Sequence, residues 1–187
     1  MNQDQVLELL RKKQAVRTGH FLLSSGKHSD TYVEKARVFE DPALTVRLAE
    51  ELARWHENIQ LIVSPAVGAL PFGFAVALAA GARFVYAERE AGAMSLRRGF
   101  SIAPGERALI VEDVITTGGS AGEVYGLVAE AGADALGVAA LVDRSAGDVV
   151  FPLRALARVS ADAWDPGECP LCADRVPIES PGSSRLA

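Results

Sequence analysis

The chain has 187 residues, with 19 Lys and Arg against 24 Asp and Glu, a formal net charge of −5, 49% hydrophobic residues and 23% charged ones. That size suits one α/β domain with a core needing no disulfide or metal. The charge argues against broad nucleic-acid binding, which neutralises phosphates with clustered Lys and Arg, and no apolar stretch is long and charge-free enough to cross a bilayer. The first five residues are acidic and polar where a secretory signal would be basic and then apolar, so a cytoplasmic location is expected.

Val6, Leu7, Leu9 and Leu10, spaced among charges, predict a short amphipathic helix over residues 3–14. Residues 18–33 read as two short strands broken at Ser25-Gly26, a hairpin-like hood. Asp41 is a good N-cap and Pro42 a good first residue for a helix reaching about Trp55. Leu61 to Ser64 is a short buried strand, followed by a Pro and Gly turn and an apolar helix from Leu70 to Ala80. Arg83 to Glu88 forms the next strand and Met94 to Phe100 its hairpin partner, with a stretch from Glu90 to Ala93 that composition marks as mobile. Arg107 to Glu112, a helix from Ser120 to Glu130 and Ala135 to Val142 make another βαβ unit, and Leu153 to Val159 a last strand. A Pro, Gly and Ser-rich tail, expected to be disordered, occupies about 180–187. The alternation implies a parallel sheet with right-handed crossovers.

The chemistry concentrates in residues 109–121. An apolar run ends in Glu112 and Asp113 and passes into Thr116, Thr117, Gly118, Gly119 and Ser120. Carboxylates accept hydrogen bonds from sugar hydroxyls or hold a divalent cation. Glycines, hydroxyls and the start of a helix donate to phosphate. A sugar phosphate satisfies both halves. Ligands of open α/β sheets sit outside the carboxyl ends of the strands, where this sequence also places Ala66-Val67-Gly68-Ala69, Glu88-Arg89 and Asp143-Arg144.

Residues 109–121 resemble the phosphoribosyl-diphosphate (PRPP) signature of the type I phosphoribosyltransferases. The segment Phe21 to Val33, with Ser25-Gly26-Lys27-His28, resembles the orotate-site segment of the orotate phosphoribosyltransferase family, and Leu141-Val-Asp-Arg-Ser matches that family's Asp-Arg stretch. With the Pro65 to Pro71 turn and Leu96-Arg-Arg-Gly-Phe, the similarity spans nearly all of residues 18–145, and Glu168-Cys-Pro-Leu-Cys with Val176-Pro resembles one bacterial branch of the family. The resemblance implies a single type I phosphoribosyltransferase domain over 1–187: a core from about 40 to 160, its central parallel sheet flanked by helices, and a small hood built from about 15–38 and the C-terminal segment. It implies transfer of the 5-phosphoribosyl group from PRPP to orotate, giving orotidine 5′-monophosphate and pyrophosphate in pyrimidine (UMP) biosynthesis.

The implied roles are these. Glu112 and Asp113 take the ribose 2- and 3-hydroxyls and, with Arg89, form the catalytic set. Thr116, Thr117, Gly118, Gly119 and Ser120 take the 5-phosphate, and Val67 and Gly68 form the pyrophosphate loop. Thr116, Arg144, Lys27 and Tyr32 meet orotate, with the Arg144 guanidinium on its carboxylate. Arg89, Arg97 and Arg98 belong to a basic loop, residues 88–98, that closes over pyrophosphate on the neighbouring subunit of a homodimer; here it is shorter and less charged than in better-known members. Mg2+ is the expected ion, held mainly by PRPP and in part by Asp113. His20 and His28 are read as hood residues and not as bases.

The signature specifies PRPP and not the base, so purine or uracil transfer is the near rival; a carboxylate-bearing base rewards an arginine in the pocket, a neutral purine does not. A PRPP-sensing regulator would need a basic face or an added DNA-binding domain. Cys169 and Cys172 form one Cys-Pro-Leu-Cys, half of a tetrahedral zinc site. It reads first as a tight turn with reduced thiols, and a metal shared across a dimer or a disulfide stays open.

Overall fold

The two long helices of the N-terminal third each start on a local hydrogen bond. In the computed structural model, which describes residues 1–181 except Ser24, Ala146 and Asp148, helix α1 (Gln3–Lys12) opens with a capping box. The Asn2 side chain accepts from the Gln5 amide, and the Gln5 side chain accepts from the Asn2 amide. The helix stops two residues short of the expected end, just before Gln14 turns to φ 56°. Strands β1 (Val16–Leu22) and β2 (His28–Val33) follow, then a short helix α2 (Ala36–Phe39) that the sequence did not announce. Helix α3 (Pro42–Ala53) starts as predicted: the Asp41 carboxylate accepts from the Leu44 amide at 3.1 Å and Pro42 takes the first turn.

The core alternates strand and helix: β3 (Leu61–Pro65), α4 (Leu70–Ala80), β4 (Arg83–Glu90), β5 (Ala93–Leu96), β6 (Arg107–Ile115), α5 (Gly119–Glu130), β7 (Asp134–Asp143) and β8 (Leu153–Arg158). The sheet order is β5-β4-β3-β6-β7-β8, parallel except for β5 at the edge. Residues 90–93, expected to be mobile, form a tight turn, with Ala91 and Gly92 both at positive φ and Glu90 paired with Ala93. The partner strand ends at Leu96 and not Phe100, because Arg98 and Gly99 also take positive φ and break the extended chain. Beyond the sheet, β9 (Ala163–Trp164) and α6 (Pro170–Ala173) were not foreseen. β9 pairs with β2, so the hood is a three-stranded sheet in the order β1-β2-β9. Most of the expected tail, residues 182–187, lies outside the described residues.

Side-chain alternation along the strands divides the core in two. Ile62, Leu109, Val111, Ala139 and Leu141 pack with α1, α3 and α4 through Val6, Leu10, Leu48, Leu52 and Phe72. Leu61, Val63, Ala108, Ile110, Val138 and Ala140 pack with α5 through Ala121, Val124 and Val128. The result is a helix, sheet, helix sandwich with its polar rim at the carboxyl ends of β3, β6 and β7. Among the described residues, no helix is long and apolar enough to cross a membrane.

Helix α4 meets the sheet through Gly73, where an added Cβ would collide with Ser64 Oγ and lie 2.9 Å from Phe84 Cε2. Gly73→Ala gains about 1 kcal/mol of helix propensity and loses about 1–3 kcal/mol to overpacking. The expected outcome is a lower midpoint in thermal or urea unfolding; a midpoint at or above that of the parent would refute the close approach.

Candidate active site

Strand parity places the two acids. From Ala108 to Val111 the even-numbered residues of β6 face α5 and the odd-numbered ones α4, and the acids continue this alternation before it shifts at Val114 and Ile115: Glu112 turns towards the start of α5 and Asp113 towards the β3–α4 turn and the hood. Glu112 lines a cavity of about 90 Å³ together with Val114, Ile115 and residues 116–121. Both carboxylates are buried, and each accepts a backbone hydrogen bond, Glu112 from the Asp113 amide at 3.1 Å and Asp113 from the Val114 amide at 2.6 Å. Burial, and then the charge of Asp113, pushes the Glu112 carboxyl up to about 8.

The cavity has the lining expected of an anion cradle. Gly118 caps α5 in the left-handed region, φ 76°, where other residues are strained, and it supplies no side-chain cap. Its position is crowded as well, since a Cβ there would lie 2.9 Å from Val149 and 3.0 Å from Phe151. The first amides of the twelve-residue helix therefore point into the cavity, where among the described residues a 3.4 Å contact from Gly119 N to Thr117 Oγ1 is the one competitor. Thr116, Thr117 and Gly119 are exposed at its mouth, and Ser120 is half-buried.

Asp113 is the meeting point of three distant segments. Lys35, between β2 and α2, donates its ammonium group to Asp113 Oδ2. Gly68, in the β3–α4 turn, lies against the same pair: a Cβ there would strike Lys35 Nζ and sit 2.5 Å from Asp113 Oδ2. A side chain at this position would have to displace the Lys35 ammonium or the Asp113 carboxylate. Beside it Val67 stands exposed, and the Ala66–Val67 peptide is cis. Lys35 was not among the residues singled out from sequence, because a single lysine with no motif around it carries no local signal.

Arg144 completes a second wall. Its amide donates to Ile115 O at 2.8 Å, which fixes it beside Thr116, and its Nη2 reaches Thr31 O at 3.3 Å and Ser29 Oγ at 3.4 Å on β2. Its Nε is buried and has no partner among the described residues, and the same is true of Asp30 Oδ1. Burial lowers the Arg144 pKa, opposed by Asp30 and Tyr32, while the guanidinium stays charged. Tyr32 is half-buried in the same place; burial, then Glu34, raises its pKa against the pull of Arg144.

Four candidates lie apart from this constellation. Lys27 extends from the hood to Asp165, 3.7 Å away. Arg89 binds Glu123 on α5 at 2.7 Å, and Glu123 also accepts from the Met94 amide, which ties the β4–β5 hairpin to that helix. Arg98 pairs with Glu88 at 2.9 Å, and Arg97 with Glu90 at 3.4 Å. Within one chain these arginines brace the hairpin and do not converge on the cradle. His20 and His28 are hood residues, buried against Cys169 and Cys172 and not beside Asp113.

Comparison with known proteins agrees with this geometry. The Phosphoribosyl transferase domain family matches residues 36–150. A protein of Desulforamulus reducens named orotate phosphoribosyltransferase is 44% identical over 100% of both chains, and one of Thermotoga petrophila with the same name is 45% identical over 97% of this chain and 99% of its own. The crystal structure of orotate phosphoribosyltransferase from Aeropyrum pernix aligns with a TM-score of 0.67 at 25% identity, covering 82% of this chain and 93% of that one. With a family match over residues 36–150 and relatives of that name 44–45% identical over nearly their whole length, this chain of type I phosphoribosyltransferase fold belongs to the orotate phosphoribosyltransferase family.

Proposed function

We propose that the chain transfers the 5-phosphoribosyl group of PRPP to orotate, releasing pyrophosphate and forming orotidine 5′-monophosphate, a step of pyrimidine biosynthesis. The observation that carries the choice of base is Arg144, whose Nε is buried without a partner among the described residues and whose amide is tied to Ile115 O, next to Thr116 of the cradle. A carboxylate on the base would use that donor; a neutral purine or uracil would leave it unsatisfied, at about 1–3 kcal/mol.

In this reading the 5-phosphate sits on the amides at the start of α5, and the ribose hydroxyls reach Glu112 and Asp113. Gly68 lets the pyrophosphate approach Lys35. Departure of pyrophosphate builds positive charge on the ribose ring, which the Asp113 carboxylate stabilises while ammonium and guanidinium groups hold the leaving group. Orotate's nitrogen attacks the anomeric carbon as the bond to pyrophosphate breaks, with no covalent enzyme intermediate. Mg2+ fits the hard oxygen donors of the substrate phosphates together with the Asp113 carboxylate, and when bound it would neutralise pyrophosphate charge. The same reading includes a cytoplasmic location.

A homodimer in which the hairpin 88–98 reaches the neighbouring site belongs to the proposal. What supports it is α4, where Phe74 and Leu78 are 60% and 67% exposed on the helix that packs against β3 and β4, near the hairpin's edge of the sheet. Contiguous exposed apolar surface of this kind marks association sites.

Supplying PRPP and Mg2+ with orotate, uracil, adenine, hypoxanthine and xanthine in turn tests the assignment. Loss of orotate absorbance alone is expected, and turnover of another base without orotate would overturn it. Asp113→Asn should lower kcat by about 10²-fold or more. Arg144→Ala should chiefly raise KM for orotate, by about ten- to hundredfold, with KM for PRPP little changed. Unchanged kinetics in either variant contradicts its role. Phe74→Glu with Leu78→Glu should convert the dimer to monomer in light scattering; a dimer that survives both changes rules out α4 as the seam.

The raised Glu112 pKa sets a pH dependence of stability. Between its ordinary 4.5 and about 8 the folded chain keeps a proton that the unfolded chain has released. The stabilisation is fully present below pH 4.5 and is lost as pH rises through 8, at roughly 1 kcal/mol per pH unit within the window. Glu112→Gln should flatten that slope in denaturant titrations, and an equal slope in both proteins would exclude a buried protonated Glu112.

A further inference from the structure

We propose that His20, His28, Cys169 and Cys172 form a structural zinc site within a single chain, clasping the C-terminal segment to the hood. The four offer ligand atoms that all lie within 4.8 Å of one another. His20 Nε2 is 2.9 Å from His28 Nδ1, 3.5 Å from Cys169 Sγ and 3.7 Å from Cys172 Sγ, and Cys172 Sγ is 3.2 Å from His28 Nδ1. Tetrahedral zinc, with bonds of about 2.0 Å to nitrogen and 2.3 Å to sulfur, separates its ligands by about 3.3 Å for two nitrogens and 3.6 Å for a nitrogen and a sulfur. Both cysteines are free thiols, so the cluster is not a disulfide in this structure.

The tautomer of His20 follows from its other nitrogen. Nδ1 lies 2.8 Å from Val176 O, which can only accept, so Nδ1 carries the proton and Nε2 presents a lone pair to the cluster. A backbone carbonyl holding the outer nitrogen is the usual support of a metal-bound imidazole. Two thiolates and two neutral imidazoles suit zinc, and with Zn2+ the set has no net charge. The two half-sites come from opposite ends of the chain. His20 and His28 face each other across the β1–β2 hairpin, while Cys169 and Cys172 flank the start of α6.

The need for such a clasp is visible in the burial pattern. Between residues 160 and 181 Cys169 is the one buried residue, so hydrophobic packing cannot hold this segment in place. Yet the segment lies beside functional parts of the hood: β9 pairs with β2, Asp162 O accepts from Ser29 Oγ at 2.7 Å, and Ser29 also contacts Arg144. The site is distinct from the hard, oxygen-lined acid pair and would not exchange its ion for Mg2+.

Metal analysis of the full chain, purified under reducing conditions without chelator, tests the site. About one zinc per chain is expected, lost in most part from Cys172→Ser and from His20→Ala. The metal-free, reduced parent titrated with Co2+ should develop sulfur-to-cobalt charge transfer and tetrahedral d–d bands, with two thiol protons released per ion. Zinc, but not Mg2+, should raise the unfolding midpoint of that apo chain. The Co2+ titration uses unmutated protein, so misfolding of a variant cannot mimic failure. Absence of both Zn2+ and Co2+ binding by the reduced chain would overturn the proposal, as would zinc retained in full by both variants.

Discussion

Two adjacent carboxylates buried at the end of an apolar strand repel one another and lose hydration, and the rest of the site is arranged around that cost. Asp113 is met by the Lys35 ammonium and the Val114 amide, Glu112 by the Asp113 amide and by retention of its proton. Each compensation draws in a different part of the chain. Lys35 brings the end of the hood to the sheet, and the pair meets the β3–α4 turn undisturbed with no side chain at position 68. The acid pair thus organises the crevice as well as lining it.

Much of this was legible in residue order. The apolar strands, Asp41 and Pro42 at the head of α3, and the change from apolar run to acids to Thr, Gly and Ser all follow from local chemistry, and the structure has the elements where those signals stand. What sequence could not show depends on pairing between distant segments. Lys35 has no motif around it, and its role exists only because the hood folds over β6. Cys169 and Cys172 read as half a site because their counterparts, His20 and His28, lie about 150 residues upstream in the hood hairpin and had been read separately. The short elements α2, β9 and α6 are too brief to leave a period and form through tertiary contacts. The basic residues of the hairpin carried a plausible functional reading, yet within the chain their acidic neighbours Glu88, Glu90 and Glu123 take them first.

The hood and the core make different demands on stability. The core buries large apolar side chains on both faces of a sheet and is self-sufficient. The hood has three short strands, one of only two residues, and takes its order from polar contacts: Ser29 with Asp162, Arg17 with Glu179 at 2.6 Å, and the His and Cys cluster. A thin layer held by directional bonds can be positioned closely over a ligand without an extensive core of its own.

Strand β6 also limits how the sequence can vary. Adjacent residues of an extended chain face opposite ways, so Glu112 serves the side of α5 and Asp113 the side of the hood. Inserting or deleting a single residue between Arg107 and Glu112 would exchange those directions, sending each carboxylate to the other's partners while turning Leu109 and Ile110 into the wrong halves of the core. Descendants of this protein are therefore free to lengthen or shorten the surface turns, but the run from the start of this strand to its acids can change only by an even number of residues.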